Sequence, residues 1–446
     1  MDYIPNTEGD RKKMLQEMGL HSIEPFLADI PKTLRNFSLK LSHGLSEPQV
    51  FKFLKHLSKE NTNTEQYSSF LGAGAYEHYI PSLVDHLASR SEFYTCYTPY
   101  QPEVSQGTLQ AIYEFQTLMC ELTEMDVANA SMYDGSTAFA EAALLSIRFK
   151  EKNKIICSRA THPEYRQVLN TYLKGMHTEI VEIDASEGIT DINQLEKAID
   201  GNTASVLIQN PNFFGCVEDM ETISQIVHRH NCLFVACVNP ISLGMLKPPG
   251  EYNADIAVGE AQILGNDLNY GGPYLGFFTV KKDFLRKIPG RIAGETVDHH
   301  GNRCFVLTLQ AREQHIRREK ATSNICTNQA LLALRACIYL CTLGKKGLAE
   351  LSMLNIQKSH YAYEKLCALD IFEPTFEQPF FHEFAMKSKG ILPIRKINEH
   401  LLRKGIIGGL ELDEFYPELA NSMLLCVTET KSKESIDQLI AELANL

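Results

Sequence analysis

The stretch with the most pointed chemistry is ADIAVGEAQILGNDLNYGGPYLGFF, residues 254–278. It reads as a buried strand, a polar loop, a Gly-Gly-Pro turn and a second apolar strand. Enzymes that use pyridoxal phosphate often present their Schiff-base lysine from such a loop, because strand ends fix the amine where the aldehyde sits. Here no lysine stands between Lys247 and Lys281. The loop has the form of an amine-presenting element and lacks the amine.

Three further segments carry chemistry. In YDGSTAFAEAALLSIRF, Gly135, Ser136 and Thr137 precede an Ala-rich amphipathic helix. Free N–H groups and the dipole of that helix start suit an anion such as phosphate; ordinary N-capping by Ser136, with Asp134 on the approach, is the alternative. FYTCYTPYQPEVSQG sets Tyr94, Tyr97, Tyr100 and Gln101 beside Pro99 and Pro102. Such a stiff aromatic loop can line a pocket, or its rings can pack on the next helix. QAREQHIRREKATSNICT gathers Arg312, His315, Arg317, Arg318 and Lys320, which reads as a carboxylate or phosphate site, a salt-bridged interface or a solvated helix face.

Other patterns point away from common sites. FLGAGAYEHYIP contains G-x-G, but Glu77 stands where a dinucleotide fingerprint needs its third glycine, so a tight turn is expected. His228 and His230 fall on different faces of a predicted helix, and His299 and His300 are adjacent, so no metal set is expected. No Ser-His-Asp order or G-x-S-x-G elbow occurs.

The elements that must position these groups follow from periodicity. KIIC, EIVEI, SVLIQ and LFVACV read as buried strands, with DINQLEKAI and METISQIVHRH as amphipathic helices between them. Strand-helix alternation implies right-handed crossovers and a mostly parallel α/β sheet, with ligands beyond the carboxyl ends of its strands. Upstream, LSEPQVFKFLKHL pairs Ser46 with Gln49 as a capping box and repeats Val50, Phe51, Leu54 and Leu57 on one face, a stripe that something larger must cover. Downstream, NQALLALRACIYLCTLG and LAELSMLNIQKSHYAYEKL read as long helices, followed by a strand-helix-strand-helix lobe. The expected organisation is an N-terminal helical segment (1–70), a large α/β domain (71–325) and a small C-terminal α/β domain (326–446).

With 446 residues, 44% of them hydrophobic and 22% charged, the chain has an ordinary globular mixture. A net charge of −12 argues against a non-specific grip on nucleic acid or anionic membrane. The first residues lack an apolar signal region, and the apolar run from Leu331 to Gly344 is interrupted by Arg335 and too short to cross a bilayer. Twelve scattered cysteines without C-x-x-C read as reduced thiols in a cytoplasmic protein.

Several segments together, DYIPNTEGDRKKML, FLGAGAYEHYIP, YTPYQPEVSQGTLQAIYEFQT, YDGSTAFAEA, LKPPGEYNADIAVGEAQ and QHIRREKATSNICTNQAL, resemble the glycine dehydrogenase (decarboxylating) subunit 1 family. This is the alpha half of the glycine cleavage P-protein, and the resemblance runs over nearly the whole chain. It implies a fold type I pyridoxal-phosphate transferase-like architecture. Aligned by its Gly-Gly-Pro end with the homologous partner subunit, the loop places Gln262 at the lysine position, and an amide forms no Schiff base. Asn239 falls where the fold usually sets an aspartate against the pyridine nitrogen. The resemblance therefore implies that pyridoxal phosphate is bound by the partner, a beta subunit, rather than by this chain. It further implies glycine as substrate, a lipoylated H-protein as carrier and an α2β2 heterotetramer. The tyrosine loop at Tyr94, Tyr97, Tyr100 and Gln101 is then the candidate for reaching a shared site. Arg317 and Arg318 are candidates for the interface or the carrier's approach, and Gly135, Ser136 and Thr137 for a residual anion site. The competing readings are a self-sufficient pyridoxal-phosphate enzyme using Lys247 or Lys320, and a purely scaffolding subunit.

Overall fold

The computed structural model describes residues 6–35, 40–94, 97–390 and 392–446. It divides into two units, Met1–Asn63 and Thr64–Leu446. The first carries helices α1 (Glu8–Glu17) and α2 (Glu47–Ser58), neither with a buried residue. The Ser46 N–H donates to Gln49 Oε1 at 2.9 Å, as the capping pattern requires. The apolar stripe of α2 stays bare, with Phe51 68% and Leu54 56% exposed.

The second unit is built on a seven-stranded sheet. Its strands are β1 (Val127–Ala128), β2 (Lys154–Ser158), β3 (Glu179–Ile183), β4 (Thr203–Asn210), β5 (Leu233–Val238), β6 (Ile256–Glu260) and β7 (Gly276–Val280), in the spatial order β1-β7-β6-β5-β4-β2-β3. The pairs from β3 through β6 are parallel, and β7 runs antiparallel to both of its neighbours. Helix α3 (Gln106–Thr123) leads into β1, and the crossovers use α4 (Gly135–Lys150), α5 (Pro163–Leu173), α6 (Ile192–Ala198) and α7 (Met220–Arg229).

The side-chain period of two divides each strand between two cores. Ile156, Val206, Ile208, Phe234 and Ala236 face a cluster that includes Leu195 of α6 and Ile223 and Val227 of α7. Ile155, Cys157, Leu207, Val235 and Cys237 face Ala138, Phe139 and Ala142 of α4 and Leu169 of α5. Helices therefore cover both faces, and the inner strands carry unbroken apolar runs because neither face meets water; EIVEI, expected to be buried, is the edge strand β3 with Glu179 and Glu182 exposed and only Ile183 buried.

The apolar run read as two helices forms one element, Ala330–Cys367 (α8), broken at Gly344, where φ is 61° and ψ −179°. Only glycine adopts that conformation at low cost. Beyond it lies a four-stranded sheet whose strands include Glu383–Ser388 and Ser422–Cys426. Its core joins Phe384, Met386, Met423 and Leu425 to helices α9 (Ile394–Arg403) and α10 (Lys433–Ala444). An antiparallel ribbon, Ile292–Val297 with Arg303–Thr308, precedes the basic segment and was not foreseen from the periodicity.

Candidate functional site

The groups of interest gather at the carboxyl ends of the parallel strands, where ligands of open α/β sheets bind. Gln209 near the end of β4, Asn239 after β5, Glu260 closing β6 and His162 leading α5 all line one inner cavity of about 40 Å³. That space admits water but not a cofactor, whose pockets run to roughly 300 Å³ or more. A larger crevice of about 620 Å³ adjoins it, lined among others by Tyr133, Asp134, Ser136, Glu164 and Tyr274. Gly74, His162, Tyr165 and Glu260 line both spaces and stand between them.

Glu260 organises the partition. Its Oε2 accepts the Gly135 N–H at 2.8 Å, and its Oε1 accepts those of Gln262 at 3.0 Å and Leu275 at 2.9 Å. A helix start, a loop and a returning strand thus converge on one carboxylate. Burial pushes this carboxyl up to about 8, against the pull of the three N–H groups. The approach is close: a Cβ at Gly135 would run into the Tyr165 hydroxyl and the Glu260 backbone nitrogen.

The other candidates at the cradle are tied down locally. The N-cap of α4 is Asp134 rather than Ser136: Asp134 Oδ1 accepts the Thr137 N–H at 2.8 Å and the Ser136 hydroxyl at 2.6 Å. With Gly135 bound to Glu260, the helix start already has its anionic partners. Asn239 Oδ1 accepts the Ile241 and Ser242 N–H groups at 2.9 and 3.3 Å, capping the turn after β5. Gln262 is buried and donates to the Asn266 carbonyl at 2.6 Å. Its neighbour Ile263, not Gln262, lines the inner cavity.

Groups that sequence reasoning missed close the opposite wall. Gly74 has φ 97°, and a Cβ there would come within 2.6 Å of the His162 ring, so the G-x-G segment is a tight turn pressed on that ring. His162 Nε2 lies 2.8 Å from the Ala73 carbonyl. Glu383 accepts the Ala73 N–H at 2.6 Å and the Tyr76 hydroxyl at 2.5 Å, and burial pushes it up to about 7. His382, on the same wall, has both ring nitrogens buried without a partner, and burial holds its imidazole neutral.

Pyridoxal phosphate does not fit these residues. Among the described residues no lysine or arginine lines either space, the outer crevice presents Asp134, Glu164 and Glu260, and the Gly135 and Thr137 N–H groups at the helix start are taken. A phosphate dianion would meet carboxylates where it needs cations. The alternative lysines stand elsewhere. Lys247 pairs with Glu221 in solvent, and Lys320 lines a separate pocket with Arg148, Arg286, Lys287, Arg312 and Arg317.

The tyrosine loop and basic segment lie outside this crevice and near each other. Tyr94 and Tyr97 are 69% and 93% exposed and line an apolar notch with Leu331 and Leu334. Tyr100 accepts from Arg291 Nη2 at 3.1 Å and meets the His315 ring edge-on at 6.3 Å. Gln101, Arg317 and Arg318 are exposed; Arg318 has a left-handed φ of 53°. Thr95 and Cys96 lie outside the described residues.

The strand order, the reversed strand β7 and the C-terminal α/β lobe define a fold type I, pyridoxal-phosphate transferase-like protein. A solved structure described as a C-DES mutant with glycine covalently linked to the PLP cofactor shares this fold at 15% identity and TM-score 0.60, covering 82% of this chain and 94% of its own. Within that class the particular family is clear: residues 1–443 match the model described as "Glycine cleavage system P-protein", and the chain belongs to that family. A probable glycine dehydrogenase (decarboxylating) subunit 1 of Desulfitobacterium hafniense is 55% identical over 100% of both chains. A crystal structure of glycine decarboxylase (P-protein) of the glycine cleavage system, in inhibitor-bound form, matches at TM-score 0.91 and 40% identity over 100% of each chain. Its relatives are thus named as one subunit of the glycine-decarboxylating enzyme.

Proposed function

We propose that this chain is the cofactor-free subunit of a glycine decarboxylase. Paired with a pyridoxal-phosphate-bearing beta subunit, it takes part in decarboxylating glycine and passing the aminomethyl group to the lipoyl arm of H-protein. Pyridoxal phosphate, where the partner holds it, supplies the electron sink for loss of carbon dioxide. The observation that carries the reading is the inner cradle: no lysine lines it, and Glu260 accepts the N–H groups at the helix start. This chain's part is to shape the shared pocket and exclude water from it.

The surface supports a partnered role. Tyr94, Tyr97, Tyr100 and Gln101 form the segment that reaches the partner's site, with tyrosine hydroxyls available as hydrogen-bond donors. Arg317 and Arg318 lie at the interface or the carrier's approach. The bare stripe of α2, including Phe51 and Leu54, is apolar surface of the kind that association covers. An α2β2 assembly follows from doubling the pair about a two-fold axis. Among the described residues the cysteines are free, which supports a reducing, cytoplasmic setting, and no helix is long and apolar enough to cross a membrane.

Borohydride reduction of the alpha-beta mixture with pyridoxal phosphate, followed by peptide mapping, tests the reading. The phosphopyridoxyl label is expected on the partner alone. Stoichiometric label on this chain, at Lys247, Lys320 or elsewhere, would make it a cofactor-binding enzyme in its own right.

A further inference from the structure

The carboxylate of Glu260 sits where an open cradle would receive a ligand. A helix start is an anion site because its first N–H groups lack partners and its dipole favours negative charge. Helix α4 runs over sixteen residues, Gly135–Lys150, and its first N–H is aimed at Glu260 Oε2 at 2.8 Å. The other oxygen collects N–H groups from two more segments, the loop after β6 and the start of β7. An ordinary cap satisfies its own helix; this one comes from a residue 125 positions away and ties three segments together.

A second, independent observation concerns the inner cavity that Glu260 also lines. His382 lines the inner cavity with both ring nitrogens buried and unpartnered, and a group of that polarity without a partner costs free energy. The cradle thus keeps unpartnered polar atoms on its far wall while its anion-facing side is filled from within.

We propose that Glu260 is an internal stand-in for a ligand. Its carboxyl oxygens occupy the acceptor site at the start of α4, and it is the positioning residue that closes this half of the P-protein against phosphate-bearing and other small anionic ligands. This inference rests on the reading of the chain as cofactor-free and adds the residue that enforces it. The absence of an amine prevents a covalent bond; Glu260 takes up the first N–H of the helix, which would otherwise face an anion.

Chemical rescue tests the idea in the full-length chain. In Glu260→Ala the missing carboxyl group is replaced in shape by formate, which enters from the adjoining crevice. The variant is expected to melt several degrees below wild type in chloride and to recover part of that loss in formate at equal ionic strength. Wild type and Glu260→Gln, with the site still filled, are expected to melt alike in formate and chloride. If Glu260→Ala does not fold in chloride, formate is expected to raise the yield of soluble refolded chain. A response to formate no larger than that of wild type, in melting or in refolding, overturns the proposal. The borohydride result is independent of this one: label on this chain would defeat the cofactor-free reading, whereas absent rescue with unlabelled chain would defeat only the role of Glu260.

Discussion

The inner cradle and the outer rim of this molecule are finished to different degrees. In the cradle, Glu260, Asp134, Asn239 and Glu383 each collect two or three hydrogen bonds, and glycines at 74 and 135 let backbone press against rings and strand ends. At the rim, Tyr94, Tyr97 and Tyr100 stand in solvent. A site kept for ligands leaves donors free and space open; a surface kept for solvent carries few contiguous apolar groups. Here the inner cradle is satisfied and the surface is not, which is why the proposed function rests on the outside of the chain.

That contrast can be broken from either end. The largest effect is expected at the bare stripe of α2: Phe51→Ala with Leu54→Ala removes two anchors together worth about 3 kcal/mol, a loss of roughly 100-fold in affinity for the beta subunit. The melting temperature of the isolated chain should stay as it is, and calorimetric titration of the pair would show whether both halves of that statement hold. In the cradle the opposite pattern applies. Gly135→Val drives side-chain atoms into Tyr165 and the Glu260 backbone and is expected to destabilise the isolated chain by about 1–3 kcal/mol, measured by denaturant unfolding.

The buried carboxyls give a smaller, pH-dependent signature. Burial pushes Glu218 and Glu383 up to about 7 each. A raised folded-state pKa means that the folded chain holds protons the unfolded chain has released. Stability from these groups is therefore complete below about 4.5 and is lost as pH rises towards 7, at most about 1.4 kcal/mol per pH unit for each. Glu218→Gln should gain on wild type in melting temperature between pH 5 and 7; parallel melting curves across that range would show that the carboxyl does not titrate there. The smallest stability effect is expected for Tyr100→Phe, which gives up one hydrogen bond to Arg291, worth about 1 kcal/mol. Tyr97→Phe should leave folding and assembly untouched while lowering turnover of the assembled complex. Unchanged turnover would assign the loop to scaffolding alone.

Much of the frame was legible before any coordinates. KIIC, SVLIQ and LFVACV carry unbroken apolar runs because both faces of the sheet are covered, and such runs separate buried parallel strands from half-exposed ones. The capping box at Ser46 and the tight turn at Gly72–Gly74 follow from local chemistry, which a sequence carries in full. What could not be read is contact over distance. Nothing local joins Glu260 to Gly135, and Asp134 outcompetes Ser136 as the cap through a side-chain geometry that either could have adopted. Whether Gln262 or Ile263 faces the cavity turns on one residue of loop register, which no periodicity fixes. The missing amine was visible; the group that fills the space was not.

The three-way grip of Glu260 also bears on how this region tolerates change. A lysine placed at position 262 or 263 would introduce an amine into a cradle whose helix-start donor is already bound to a carboxyl group. Removing Glu260 would by itself detach a helix, a loop and a strand from their common anchor. The carboxyl group is a keystone: its neighbours can vary around it more freely than it can vary itself.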